Sequence, residues 1–278
     1  MAFSVKDFSP GAGPGRGGPA RRWAAIIAAA GRSDRMGGQK KEYLPLPGLF
    51  DAEGAPLSVL ASSVAAFAAF PEIDPLVIAV PADSEDGEYE ARACLPRRFL
   101  DPALRPSLIF VPGGKTRRAS VYHALSLLTA YRPGYVLIHD GGRPWVDADL
   151  IRRTMEAVIR YRAAVPVLPL VETPKMIEEP PESAAFGEAA SGDAAAGTPM
   201  VIRHLRRASV VTAQTPQGFA FPEILRAHEK AAEKELAEGR EYTDDAEIWG
   251  EFCGPVAAVP GAAANKKITF PEDLEPRS

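Results

Sequence analysis

Apolar residues in this 278-residue chain gather in short runs separated by amphipathic stretches and glycine turns. "WAAIIAAA" (Trp23–Ala30) is continuously apolar, the pattern of a strand covered on both faces. "LSVLASSVAAFAAF" (Leu57–Phe70) predicts a helix stopped by Pro71, and "PLVIAV" (Pro75–Val80) a second strand. "SLIFV" (Ser107–Val111) predicts a third strand, followed by the glycine turn and helix of "GGKTRRASVYHALSLL". "YVLIHD" (Tyr135–Asp140) predicts a fourth strand, with a helix from about Asp147 to Arg162, and "AVPVLPL" (Ala164–Leu170) a fifth. "FPEILRAHEKAAEKELAEG" (Phe221–Gly239) is an amphipathic helix ended by its glycine, and "PVAAVPG" and "KKITFPEDL" predict two short closing strands. This βαβα rhythm predicts an α/β fold: a mostly parallel twisted sheet, helices on both faces, and ligands at the carboxyl ends of the strands.

Two stretches break the rhythm. Residues 1–22 are rich in glycine and proline and predict a disordered leader, leaving 23–278 as a single domain. "EEPPESAAFGEAASGDAAAGTP" (Glu178–Pro199) has no periodicity, so an arm or insertion is expected at about 174–206, with a disordered tip.

Composition narrows the function. With 36 acidic and 32 basic residues the net charge is −4, which argues against a general nucleic-acid binder but leaves room for a local basic pocket. Cys94 and Cys253 have neither metal-ligand nor disulfide-framework spacing, as expected of a protein in a reducing compartment. No apolar run reaches the roughly 18 residues a membrane helix needs, and the leader has no signal-peptide pattern, so a cytoplasmic protein without a membrane partner is expected.

Chemistry-bearing residues cluster where strands end. In "AAAGRSDRMGGQKKEYL", Gly31 lets backbone approach a ligand while Arg32, Arg35, Lys40 and Lys41 surround the turn, a pattern suited to phosphate. It is neither a P-loop nor a G-x-G-x-x-G dinucleotide turn. "GGKTRRASV" sets Gly114, Arg117 and Ser120 at a helix start, although Ser120 alone reads equally well as a surface serine. "HDGGRP" puts Asp140 at a strand's carboxyl end, able to handle a metal–phosphate complex or to cap the next helix. "VETPKMI" offers Thr173 and Lys175; "RRASVVTAQTPQGF" and "NKKITFPEDL" offer Arg207, Thr215 and Lys267. Other polar residues read as structural. Asp244 and Glu247 have the spacing of a helix N-cap, His123 and His228 look structural or exposed, and His139 faces away from Asp140 across the strand.

In this order and spacing, "AAAGRSDRM…KEYL", "GGKTRRASV", "HDGGRP", "AQTPQGF" and "YTDDA…NKKITFPEDL" resemble the 2-C-methyl-D-erythritol 4-phosphate cytidylyltransferase family, from about Trp23 to Leu274. The resemblance implies CTP and a polyol phosphate as substrates, Mg²⁺ as cofactor and a homodimer with a protruding arm. It implies Arg35, Lys41 and Lys267 as catalytic cations, with Ala29, Ala30, Gly31, Gly114, Ser120 and Asp140 on the nucleotide and Asp140 by the metal. Thr173, Lys175, Arg207 and Thr215 would hold the methylerythritol phosphate. A ribitol 5-phosphate cytidylyltransferase and a catalytically weak nucleotide sensor remain the alternatives.

The chain departs from the family pattern at several places. Ser33 stands where a second glycine is usual, with Asp34 beside it; Lys40 replaces a proline, and "EYL" replaces "QYL". Lys115 replaces an acid, and Ala264–Asn265–Lys266–Lys267 replaces a "DNIK"-type approach to the last lysine.

Overall fold

The computed structural model describes residues 22–51, 54–82, 86–178 and 199–274. Residues 1–21 of the expected leader and the tip of the expected arm (179–198) lie outside these residues. Two compact units emerge, the first formed by residues up to Pro166 and from Gln214 onward, the second by Val167–Ala213.

In chain order the first unit begins with β1 (Trp23–Ala28), the hairpin β2 (Pro45–Phe50) and β3 (Pro56–Ser58), and α1 (Val59–Ala68). It continues through β4 (Ile73–Val80), α2 (Gly87–Ala93), β5 (Leu108–Pro112), α3 (Arg117–Leu128), β6 (Tyr135–Asp140), α4 (Ala148–Tyr161) and β7 (Ala163–Pro169), whose last residues pass into the second unit. That unit carries β8 (Lys175–Glu178), β9 (Met200–His204) and β10 (Val211–Ala213). The chain returns through β11 (Gln217–Ala220), α5 (Glu223–Glu238), α6 (Asp245–Phe252) and β12 (Ala257–Pro260).

The sheet runs β7-β11-β6-β1-β4-β5, with β1 parallel to both β6 and β4, and β4 parallel to β5. Strand β11 enters antiparallel between β6 and β7. The all-apolar β1 sorts its side chains by parity. Ala25 and Ile27 join the core built on α1 and α4, with Leu60, Phe67, Leu150 and Val158. Ala24 and Ile26 join the opposite core, with Val121 and Leu125 of α3 and Ile224 of α5. Helices therefore cover both faces, and the residues that follow a strand's carboxyl end lie at one rim of the sheet.

Local signals fix the helix starts. Ser58 accepts from Ala61 N (2.9 Å), Thr116 from Ala119 N (3.1 Å), Asp147 from Leu150 N (2.7 Å) and Asp244 from Ala246 N (2.6 Å). Gly239 ends α5 in the left-handed region (φ 67°).

Two segments differ from the sequence expectations. The opening turn contains single turns of 3-10 helix at Asp34–Met36 and Lys41–Tyr43 and leads into the β2–β3 hairpin. "KKITFPEDL" is not a strand: it is an extended segment ending in a 3-10 turn, Pro271–Leu274. There the Asp273 carboxylate accepts from Thr269 N (2.8 Å) and Phe270 N (2.9 Å), so a side chain replaces the ladder partner.

In the second unit, β10 pairs antiparallel with the end of β7, while β8 and β9 form a two-stranded ribbon. The unit spans Val167–Ala213. Met176, Ile177, Met200, Val201 and Ile202 of the ribbon are exposed in the chain.

Gly218 lies where α4 approaches the sheet; a Cβ there would sit 2.5 Å from Val158 Cγ2 and 3.1 Å from Leu137 Cδ2. Gly218→Ala is expected to cost about 1–3 kcal/mol through overpacking, read as a lower urea unfolding midpoint at unchanged slope.

Candidate active site

Chain segments that follow the parallel strands enclose a cleft of about 750 Å³ in the first unit. Ala28 ends β1 and Ala30 and Gly31 follow it; Ala82 follows β4; Gly113 and Gly114 follow β5; Asp140 and Gly142 close β6. Backbone bonds prolong the sheet into the rim: Ala29 N to Ala79 O (3.0 Å), Gly113 N to Val80 O (2.7 Å) and Gly141 N to Ala28 O (2.9 Å). Gly113 is required here, since a Cβ would lie 2.3 Å from that of Ala30.

Asp140 is the electrostatic centre. Its Oδ1 accepts from Arg117 Nε (2.9 Å), its Oδ2 from Lys267 Nζ (2.9 Å), and Arg143 Nε stands 3.7 Å from Oδ2. Burial alone would raise its pKa, but Arg117, then Lys267 and Arg143, hold the carboxyl well below the usual carboxylate range. Arg117 reaches past it to fully buried Asp245 (Nη1–Oδ2 2.8 Å), which His228 Nε2 approaches at 3.2 Å from the other side. Burial pushes the Lys41 ammonium down, an effect Glu42 opposes and Lys267 reinforces.

Lys267 owes its place to its neighbours. Ile268 is fully buried against Leu46 and Val59, and its N–H donates to Gly142 O (2.8 Å). Arg143 and Gln214 both donate to Asn265 O (2.9 and 3.2 Å), and Asn265 Nδ2 donates to Thr215 O (2.7 Å). The terminal segment is thus fastened to the β6 turn from both sides.

The other expected residues divide into groups. Arg35 is exposed, its guanidinium 5.6 Å from the Phe270 ring centre. Ser120 lines the cleft while its hydroxyl donates to Thr116 O (2.9 Å) and accepts Gly114 N–H (3.0 Å), shaping the glycine turn. Ala29 does not line the cleft; strand parity buries its side chain, leaving Ala28 and Ala30 at the surface. Thr215 is also buried rather than lining it, because its hydroxyl accepts Asp140 N–H (3.0 Å) and contacts His139 Nδ1 (3.0 Å). Thr173, Lys175 and Arg207 belong to the second unit, where all three are exposed and Arg207 Nη1 donates to Val171 O (2.6 Å).

The profile of the family described as IspD, 2-C-methyl-D-erythritol 4-phosphate cytidylyltransferase, matches residues 23–276. This chain belongs to that family. A bifunctional enzyme IspD/IspF from Mesorhizobium japonicum is 35% identical over 256 residues, covering 90% of this chain and 53% of that protein. One from Bradyrhizobium sp. (strain ORS 278) is 39% identical over 256 residues, covering 91% and 55%. The chain spans about half the length of these curated relatives. Among solved structures, the 2-C-methyl-D-erythritol 4-phosphate cytidylyltransferase of Thermus thermophilus is 32% identical, with a TM-score of 0.60, covering 91% of this chain and 95% of that one. The 4-diphosphocytidyl-2C-methyl-D-erythritol synthase of Anaerococcus prevotii is 25% identical, with a TM-score of 0.67, covering 92% and 93%.

For a chain of this family, sequence reasoning undervalues Arg117, Asp245 and His228. A signal exists. Arg117 and Arg118 open α3, whose first turn has no acid, against the preference of a helix N-terminus for negative charge. Each arginine answers to a carboxylate, Arg117 to Asp140 and Asp245, and Arg118 to Glu235 (2.5 Å). His228 is fully buried rather than exposed. His139 does face away from Asp140, packing 5.1 Å from the Phe67 ring with Nε2 at Arg143 O (3.1 Å).

Burial pushes the His139 pKa down from 6.5 to about 4. Between those values the unfolded chain binds a proton that the folded protein does not, so stability rises with pH across that window. The contribution is on the order of 3 kcal/mol. Urea midpoints of the wild-type protein are expected to climb more steeply from pH 4 to 6.5 than those of His139→Asn.

Proposed function

We propose that this chain joins CTP and 2-C-methyl-D-erythritol 4-phosphate to give the CDP-linked polyol and pyrophosphate, in the cytoplasm, as a step of non-mevalonate isoprenoid precursor synthesis. The observation that carries the reading is the meeting of Lys41, Arg117 and Lys267 with Asp140 in a glycine-walled cleft at the strand ends, in a chain of this family.

The chemistry asks for little beyond charge and position. A phosphate monoester is mostly ionised at neutral pH, with its second pKa near about 6, so no base need remove a proton. One of its oxygens attacks the α-phosphorus of CTP; the new P–O bond forms as the bond to the β-phosphate bridge breaks, and pyrophosphate departs with that electron pair. Lys41 and Lys267 offset charge on the α-phosphate and leaving group, Arg35 covers the outer phosphates, and rim amides at Ala30, Gly31 and Gly114 hold the nucleotide. Ser120 and Thr215 act through what they hold, the Gly114 turn and the Asp140 backbone. Thr173, Lys175 and Arg207 are proposed to take the polyol phosphate.

Among the described residues no group of three or more His, Cys, Asp or Glu side chains gathers to hold a metal. The cleft supplies Asp140, a donor set that suits Mg²⁺ bound chiefly by nucleotide phosphates with one protein carboxylate. Bound so, the ion would neutralise phosphate charge; Arg117 and Lys267 hold the carboxylate in place for it.

The exposed apolar ribbon of β8 and β9 supports a homodimer in which this surface is covered. Among the described residues no helix is long and apolar enough to cross a membrane.

The deciding assay follows pyrophosphate release from CTP and Mg²⁺ with methylerythritol phosphate and ribitol 5-phosphate in parallel. Release with the first acceptor alone is expected. Lys41→Ala or Lys267→Ala is expected to lower turnover by roughly 10²–10³, and near-normal turnover in either variant removes that lysine from the mechanism. Light scattering at micromolar concentration is expected to give a dimer; a monomer at that concentration removes the homodimer.

A further inference from the structure

The turn after β1 contains a second constellation, centred on Glu42. This carboxylate is only 4% exposed, although it lies in a cleft read as a polyanion site. Ser33 Oγ donates to Glu42 Oε2 (3.3 Å) and accepts Lys41 N–H (3.3 Å). Lys40 Nζ lies 3.5 Å from the same Oε2 and donates to Gly31 O. Glu42 therefore gathers residues from both ends of the loop that carries the cations.

Ser33 adopts φ 55°, ψ 37°, a left-handed conformation that glycine reaches without steric cost and serine does not. A side chain held there implies that its hydroxyl contributes something glycine lacks. Its two bonds go to Glu42 and to the backbone of Lys41, the residue whose ammonium enters the cleft. Lys40 has φ −68°, a value proline would also satisfy, so its backbone alone does not require a lysine. Three places where the sequence departs from the family pattern thus meet at one carboxylate.

We infer that Ser33, Lys40 and Glu42 are a coupled set of positioning residues that preset the cationic turn and the backbone of Lys41 before nucleotide arrives. The inference rests on the nucleotide-binding reading above for its functional consequence, but not for the loop order itself. A buried carboxylate beside a phosphate site is tolerable only while Lys40 and Ser33 satisfy it, so once one member is lost, losing a second adds less than its own single effect.

The test is a double-mutant cycle on Lys40→Pro and Glu42→Gln, with Ser33→Gly alongside. Amide hydrogen exchange of the nucleotide-free protein is measured by NMR at Lys41, and the steady-state KM and kcat for CTP are measured separately. Ser33→Gly is expected to speed Lys41 exchange about tenfold, while each single variant raises KM for CTP by roughly five- to tenfold with a smaller change in kcat. The Lys40→Pro/Glu42→Gln double variant is expected to fall at least about threefold short of the product of its two single effects. Effects that simply multiply, or unchanged exchange in Ser33→Gly and Glu42→Gln, overturn the inference. Exchange needs no turnover, so wild-type protein that fails to use CTP removes the proposed function while the loop result still decides this one.

Discussion

A single carboxylate organises the rim of the cleft. Asp140 sits at the end of the central strand β6, and Arg117, Arg143, Lys41 and Lys267 arrive around it from separate parts of the chain. Without an anion among them these groups would repel at close range: two like unit charges 4 Å apart cost about 4 kcal/mol at the effective dielectric of a protein rim. Asp140 keeps the cations together, and the rest of the site is built to keep Asp140 still. Thr215 holds its N–H, Arg117 ties it to the buried Asp245, and the terminal segment is fastened so that Lys267 meets it. Toward these cations Asp140 plays the part that the phosphates of a nucleotide would share.

That arrangement explains what is legible in the sequence. β1, β4 and β6 and the helices α1, α3 and α4 follow from local patterning, because those strands are buried on both faces and those helices carry side-chain caps. Lys41, Lys267, Ser120, Gly31, Gly114 and Asp140 can be anticipated since each lies at a strand end, in a glycine turn or beside a run of cations. The partner of a charged residue is harder to read. Arg117 and Asp245 are far apart in sequence and meet only through packing of α3, α5 and α6. Thr215 stands out in "AQTPQGF", but the direction of its hydroxyl, toward the Asp140 backbone, depends on β11 entering antiparallel beside β6. The terminal segment imitates a strand because its apolar residues alternate. Its bonds go instead to Gly142 O and the Asp273 carboxylate, which no periodicity encodes.

Most of the site is made from segments that have no ladder partners of their own. The glycine turns, the Lys41–Tyr43 turn and the segment around Lys267 satisfy their backbone groups through neighbouring loops and side chains such as Gln214, Asn265 and Arg143. A buried backbone group left without a partner is costly, so these side chains are as necessary to the rim as hydrogen-bonded strands are to the sheet. Asn265 and Gln214 thus support the cleft without lining it.

The cleft also differs in sign from the molecule that contains it. Five cationic residues line it against two carboxylates, whereas the whole chain carries a net charge of −4. A triphosphate approaching from afar meets a weakly repulsive field, and attraction takes over only within roughly a Debye length of the rim, about 8 Å at physiological salt. Capture then becomes a short-range event, and added salt weakens both the distant repulsion and the local pull.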